Sequence, residues 1–494
     1  MTRRRGGSLA FVAALALATG AAFAAGSHLR TRFPRYAFDH PTQIAQAGGG
    51  GGGGGGAQAS GANGVLRIGA DPASGRDADD DVGLGPLQTF QTVYSLVKKN
   101  YVDPLPDDRK LSHGAVRAML ASLNDPNCQF FEPAERAALD GEARGRYAGI
   151  GAALAVVPHK RDGYTEYKIT VVTPLPGSPA EKVGLRTGDV ILSVDGKWVL
   201  GSDPFLAANK LVKKFQARDA EEEDVTKAFE AATARLKGGI GLGAAQKKLT
   251  AGQNETRTLT LQRAGVKDPV RVAITTAFTE VAPVEARKLA GGDVSYIKIS
   301  AFTEGSGARF REALGGLPKP QQGLVLDLRG NPGGLLAPAR EIAGLLTKGG
   351  KIGVEVGPNG KRTAVTVPLA THRALRPVIV LVDGGTASTA EALAAALRDK
   401  QVATLVGGKT FGDALAQTLY LLPDGSAYTL VTGKLLGPNG TDWQRVGLTP
   451  GVAVPKGASE QQVIARAVSV LRDRTAVVAS TAATAAPATS GAPQ

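Results

Sequence analysis

The sequence holds few of the residues that build covalent or metal cross-links. One cysteine, Cys128, stands among 494 residues, so no disulfide can form within the chain and no cysteine-based zinc site can be assembled. Five scattered histidines do not make a histidine-rich cluster, and no metal or other cofactor is expected. Aromatic residues amount to 5%, and the surplus of 58 Lys and Arg over 44 Asp and Glu is spread along the chain. Without basic–aromatic runs, that +14 charge reads as solubility or weak attraction to anionic surfaces, and no nucleic-acid partner is expected. No internal repeat is visible. What is abundant is glycine, 65 residues in a chain 43% hydrophobic and 21% charged. That is a soluble globular composition, at a length of about three to four ordinary domains.

The two ends read differently from the middle. Arg3, Arg4 and Arg5 precede an Ala/Leu-rich stretch at residues 9–23 and a small-x-small pattern, Ala22-Phe23-Ala24. This is the pattern of an export leader over residues 1–25, giving a periplasmic or other extracytoplasmic location. The apolar stretch is shorter than the ~20 residues of a spanning helix, so a membrane is met only if the leader stays uncleaved as an anchor. Residues 26–85, with an unbroken glycine run at 48–56, read as a flexible linker. Residues 475–494, rich in Ala, Thr, Ser and Pro, read as a disordered tail.

Between them the chain is a multidomain α/β protein in three pieces. Residues 86–145 are helical: Phe90, Val93, Tyr94 and Val97 recur at helical spacing, as do Leu111, Ala115, Met119 and Leu123, until Asn124-Asp125-Pro126 stops the second helix. His113 on that helix is an ordinary surface or packing residue. Residues 146–278 alternate apolar and polar as strands do. Residues 279–474 alternate buried strands with helices, which implies a mainly parallel sheet.

In the second piece, GSPAEKVGL (177–185) followed by GDVILSVDG (188–196) resembles a PDZ domain. The resemblance implies an edge strand that accepts a peptide as an added strand, and a glycine-rich loop whose N–H groups hold its terminal carboxylate. Gly149, Ile150 and Gly151 are the candidates for that loop, and a plain glycine turn between strands is the alternative. After Trp198 the pattern departs from a PDZ module through an insert, residues 203–253, with a charged helical middle and a glycine-rich exit. The insert is expected to cover or reshape the peptide groove.

In the third piece, DLRGNPGG (327–334) and GGTASTAEALAAALRD (384–399), downstream of the PDZ-like run, resemble the C-terminal processing (tail-specific) serine peptidases. The resemblance covers roughly residues 86–455. It implies an exported protein that binds polypeptide C-termini through its PDZ domain and cuts them with a Ser–Lys dyad. Ser388 matches the nucleophile position, in a small-residue turn that opens a helix, where the helix N-terminus favours developing negative charge. Gly333 or Gly334 is the oxyanion-hole candidate of the NPGG turn. Ser388 and Glu391 also fit a capping box, the structural alternative for that pair.

The family's general base is a lysine twenty-five residues after the serine, in Thr-Phe-Gly-Lys. Here the motif reads Thr410-Phe411-Gly412-Asp413, and Gln417 remains at the third functional position. A carboxylate near its ordinary pKa of about 3.9 is a far weaker base than an amine tuned near 7 to 8, and raising it by burial protonates it. Lys409 precedes Asp413 by four residues, about 13 Å along an extended strand. His159 and His372 have no partner pattern. Two main readings follow. In the first, the chain is a pseudopeptidase that captures polypeptide C-termini, as an adaptor, inhibitor or scaffold beside an active peptidase partner. In the second, it is a serine endopeptidase with a non-standard base. A purely structural role is the third.

Overall fold

A computed structural model describes residues 58–61, 64–67, 85–105, 107–161, 164–289, 293–316, 323–368 and 377–484. The expected leader, the glycine run, His372 and residues 485–494 lie outside the described residues. The chain divides into two compact units, Leu29–Ala118 and Met119–Gln494, the latter grouped with Met1–His28.

Within the first unit, β1 (Gln58–Gly61) and β2 (Gly64–Arg67) pair antiparallel inside the stretch expected to be a flexible linker. α1 (Pro86–Asn100) opens on a proline, whose missing N–H costs nothing at a helix start. Its apolar residues Leu87, Phe90, Val93 and Leu96 are exposed. A Lys98–Asp108 ion pair of 2.6 Å joins it to α2 (Asp108–Ala121), which runs across the unit boundary. α2 stops just before Asn124, whose φ of 54° cannot continue a helix.

The second unit begins with β3 (Phe130–Phe131), α3 (Pro133–Ala143) and β4 (Arg146–Tyr147). The PDZ-like module follows as β5 (Ala152–Arg161), β6 (Tyr164–Pro174), α4 (Pro179–Lys182), β7 (Val190–Val194), β8 (Lys197–Leu200), α5 (Leu206–Gln216), α6 (Glu222–Lys237), β9 (Gly239–Gly241), α7 (Leu242–Thr250), β10 (Thr256–Gln262) and β11 (Val270–Thr275). Its sheet runs β11-β10-β7-β6-β5, with β8 joined to β7 and β9. β12 (Thr279–Glu280) then pairs with β4, so the chain enters and leaves the module through one two-stranded tie.

The insert proves smaller than residues 203–253. Only α5 and α6 form an added hairpin, around Phe205, Ala208, Val225, Phe229 and Ala232. α7 belongs to the module itself, because Leu242, Ala245 and Leu249 are buried in its core with Ile150, Ile169 and Leu259. Those three residues line one helical face. The preceding glycines disguise that face in the sequence.

The third piece comprises β13 (Val284–Lys288), β14 (Val294–Ile299), α8 (Ser306–Gly316), β15 (Gly323–Asp327), α9 (Leu336–Leu346), β16 (Gly350–Val356), β17 (Arg362–Val367), β18 (Val378–Val382), α10 (Thr389–Asp399), β19 (Ala403–Gly407), β20 (Leu415–Leu421), β21 (Ala427–Leu436), β22 (Val452–Ala453) and α11 (Glu460–Thr484). One sheet, β13-β14-β15-β18-β19-β22, is parallel from β14 onward. A second, β17-β16-β21-β20, is antiparallel and takes β3 beside β21. The runs GLVLD and VIVLV are buried at every residue, as central parallel strands require. Alternate residues face opposite ways: Leu324, Leu326, Val378 and Val380 meet α8, α9 and α10, while Val325, Ile379 and Leu381 meet α11. α11 continues ten residues past the expected boundary at 474. The Ala-rich stretch after Arg474 holds no helix breaker before Pro487, so its low complexity did not prevent a helix.

Candidate active site

Three neighbouring parallel strands, β15, β18 and β19, end side by side and deliver three loops to one edge of the sheet. This is where open α/β sheets build their sites. The loop after β15 carries NPGG, that after β18 carries Ser388, and that after β19 carries Asp413.

The first two are bound to each other through backbone and side-chain groups. Asp383 Oδ1 accepts from Gly330 N–H and Gly385 N–H, each at 2.9 Å. Ala387 N–H donates to Asn331 O at 2.9 Å, and Thr386 Oγ1 donates to Leu328 O at 2.8 Å. Ser388 itself sits at φ 53°, ψ −119°, a conformation that an L residue adopts only when its surroundings impose it. Gly333 lies against it: a Cβ there would come within 2.9 Å of Ser388 Cβ.

The two glycine candidates separate on their amides. Gly333 N–H donates to Asn331 Oδ1 at 2.8 Å and is buried, whereas Gly334 is exposed and its N–H has no acceptor among the described residues. The Thr389 amide, first in α10, is likewise without an acceptor, and it neighbours Gly333. Gly334 and Thr389 therefore supply the amides that could receive an oxyanion. Thr389 Oγ1 braces the pair by donating to Gly334 O at 2.8 Å. The Thr389 amide was a role that the sequence reading missed, although every helix start leaves such groups unpaired.

Asp413 is half-buried. Its Oδ1 accepts from Leu415 N–H at 3.2 Å, and burial pushes its pKa up. It forms no ion pair among the described residues. Phe411 N–H donates to Thr386 O at 3.0 Å, and Trp443 Nε1 donates to Asp413 O at 3.2 Å, fixing the loop at both ends. Lys409 is exposed and lies in the irregular stretch between β19 and β20, so the extended-strand geometry assumed for it does not exist. Gln417 is exposed on β20, opposite Val431 and beside a bulge.

Glu391 is fully buried beneath this junction. Its Oε2 accepts from Ser388 N–H at 3.1 Å and Asp413 N–H at 2.8 Å. Its Oε1 accepts from Gly412 N–H at 2.8 Å and from Thr410 Oγ1. Burial pushes its pKa up to about 7, with those hydrogen bonds opposing the shift. A carboxylate at 7 next to a serine resembles a tuned base, but a carboxylate has about four lone-pair sites and four donors fill them. Glu391 is not positioned to take the serine proton.

The PDZ-like module touches the same junction. A Cβ on Gly385 would come 3.3 Å from both Thr173 Cβ and Thr187 Oγ1, and one on Gly330 3.2 Å from Thr173 Oγ1. Its candidate carboxylate loop is closed in this arrangement: Gly149, Ile150 and Gly151 are buried, and Ile150 N–H donates to Leu249 O at 2.8 Å. β5, which follows that loop, is the edge of its sheet and tolerates Pro158 there.

The chain is 32% identical over 363 residues to the chloroplastic C-terminal processing peptidase of Tetradesmus obliquus, covering 72% of this chain and 71% of that relative. The chain belongs to peptidase family S41. The S41 model matches residues 293–454, a PDZ domain matches residues 170–204, and the activating protease CtpB N-terminal domain matches residues 63–133. Within family S41, the carboxyl-terminal-processing protease of Synechocystis sp. is 30% identical over 365 residues, covering 73% of this chain and 74% of that relative. The carboxy-terminal processing protease CtpB of Bacillus subtilis is 29% identical over 372 residues, covering 74% and 68%. A solved photosystem II D1 C-terminal processing protease superposes with TM-score 0.56 at 26% identity, over 76% of this chain and 95% of that structure.

Proposed function

We propose that this chain is an exported, PDZ-containing S41 homologue that captures polypeptide C-termini and whose peptide-bond hydrolysis is impaired. The observation that carries the reading is the third loop of the crevice. Where the resemblance calls for a lysine, the loop tied to Ser388 presents Asp413, a carboxylate raised by burial and paired with no cation among the described residues. A serine hydroxyl needs a positioned base before it attacks. Asp413 below its raised pKa is mostly protonated, and above it is a weaker base than an amine. Capture is supported by the free edge of β5, along which a peptide can add as a strand. Its terminal carboxylate reaches the Ile150 amide only if that N–H exchanges Leu249 O for the ligand. In this role the protein acts as an adaptor, inhibitor or scaffold, beside an active peptidase that cuts what it holds.

A second reading, an active serine endopeptidase with a non-standard base, is favoured by the strained Ser388 and the unpaired Gly334 and Thr389 amides. One experiment decides between them. The mature protein is incubated with an unstructured polypeptide ending in apolar residues, alongside Ser388→Ala and Asp413→Lys. Cleavage by the unaltered protein that disappears in Ser388→Ala establishes the second reading. Cleavage gained only in Asp413→Lys establishes the first.

A further inference from the structure

We propose that Glu391 is the positioning residue of the Ser388 crevice: it sets where residue 413 stands relative to the serine, whatever side chain residue 413 carries. The proposal rests on that crevice being the working site. Glu391 binds Ser388 N–H and Asp413 N–H with the same oxygen, Oε2. The two residues whose relation decides proton transfer therefore meet on one atom. Its other oxygen holds Gly412 N–H and the Thr410 hydroxyl, and that hydroxyl in turn accepts from Leu448 N–H at 2.6 Å.

Three of the four donors on Glu391 are main-chain amides, and the fourth belongs to Thr410. None comes from the side chain at 413, whose own bond is Oδ1 accepting from Leu415 N–H at 3.2 Å, so changing that side chain leaves the four bonds to Glu391 in place. Asp413→Lys should therefore restore an ammonium while keeping the Glu391 ties, with loss of the Leu415 N–H bond. The Glu391 carboxylate has no ion pair among the described residues. Of the ionisable groups on surrounding segments, Asp413 contributes only its amide, Lys409 and Arg445 are exposed, and Asp383 is occupied by Gly330 and Gly385. Phe411 N–H to Thr386 O also joins this loop to the serine turn, but among the described residues Glu391 alone binds the Ser388 and Asp413 amides together.

Amide hydrogen exchange on the full chain reads this directly, without cleavage or capture. A hydrogen bond to a charged group is worth about 1.5–3 kcal/mol, so Glu391→Ala should lower protection of the Gly412 and Asp413 amides about tenfold or more. Glu391→Gln keeps one acceptor oxygen and should restore part of it, while residues 378–382 of β18 keep their protection in both variants. If Glu391→Ala does not fold, Glu391→Gln and Thr410→Val carry the comparison, each with a partial loss confined to residues 410–414. In an Asp413→Lys background that cleaves, Glu391→Gln should lower kcat with KM little changed. Unchanged protection at Gly412 and Asp413 overturns the proposal. So does a loss shared equally with residues 378–382, since that is general destabilisation. An Asp413→Lys protein without activity counts against the reading of function, and the exchange result still decides the role of Glu391.

Discussion

The two sides of the Ser388 crevice are built from different materials. On one side, the nucleophile turn and the NPGG turn are held by several bonds at once, from the Ala387 amide and from the Asp383, Thr386 and Thr389 side chains, with the Gly334 and Thr389 amides open among the described residues. On the other, the residue that would move a proton is a single side chain, Asp413, on a loop held by its backbone. The first side is spread over several bonds, so no single one of them carries it. The second rests on the chemistry of one side chain, so one substitution can silence it while the Glu391 ties to the loop remain. An intact-looking crevice therefore says little about reactivity.

The strongest way to break this comparison is Asp413→Lys. If only the proton acceptor is missing, serine-dependent cleavage should rise by about 10²–10⁴, the usual worth of a positioned base. It is measured with the unstructured substrate and lost again in the double variant with Ser388→Ala. No gain would mean that the amide side is also defective. The amide side is tested by Gly333→Ala, because a side chain there meets Ser388 and the residue has φ 98°. The strain should lower stability by about 1–3 kcal/mol, visible as a lower thermal midpoint, and should remove any activity gained with Asp413→Lys.

A smaller effect is expected from the ligand. N-methylating one amide of a bound peptide that faces β5 should weaken capture in proportion to one lost hydrogen bond, about 0.5–1.5 kcal/mol. Amidating its C-terminus tests whether the Ile150 amide is released from Leu249, and equal affinity for both forms would remove carboxylate recognition from the account. The mildest test is of pH. Burial raises the Asp413 pKa, so the folded state favours its protonated form and loses stability as pH rises from the ordinary carboxylate range through the raised value. Asp413→Asn should escape that loss, and its advantage in denaturant unfolding should be larger at pH 7.5 than at pH 4. An advantage independent of pH would show that Asp413 is not held in an unfavourable charged state.

Much of this was legible because short-range patterns carried it. Leu324 to Leu326 and Val378 to Val382 announce central strands, GDVILSVDG announces the β7–β8 hairpin, and the serine turn is written in consecutive residues. Less legible were features that depend on partners far apart in sequence. The helical face of Leu242, Ala245 and Leu249 was hidden behind glycines, so α7 was assigned to the insert. The choice between Gly333 and Gly334 turned on a side chain, Asn331 Oδ1, that could have faced either amide. Glu391 was read as a cap. Its bonds to Thr410, Gly412 and Asp413 span about twenty residues and two strand ends, beyond any capping pattern.

The sequence by itself determined which chemical groups this protein owns: a serine in a small-residue turn, glycines opposite it, and an acid where the motif calls for an amine. Only the tertiary structure decided which of them meet. Parallel pairing of β15, β18 and β19 places three loop tips together, and desolvation at that edge raises both carboxylates, since burial acts on whatever charge the packing encloses.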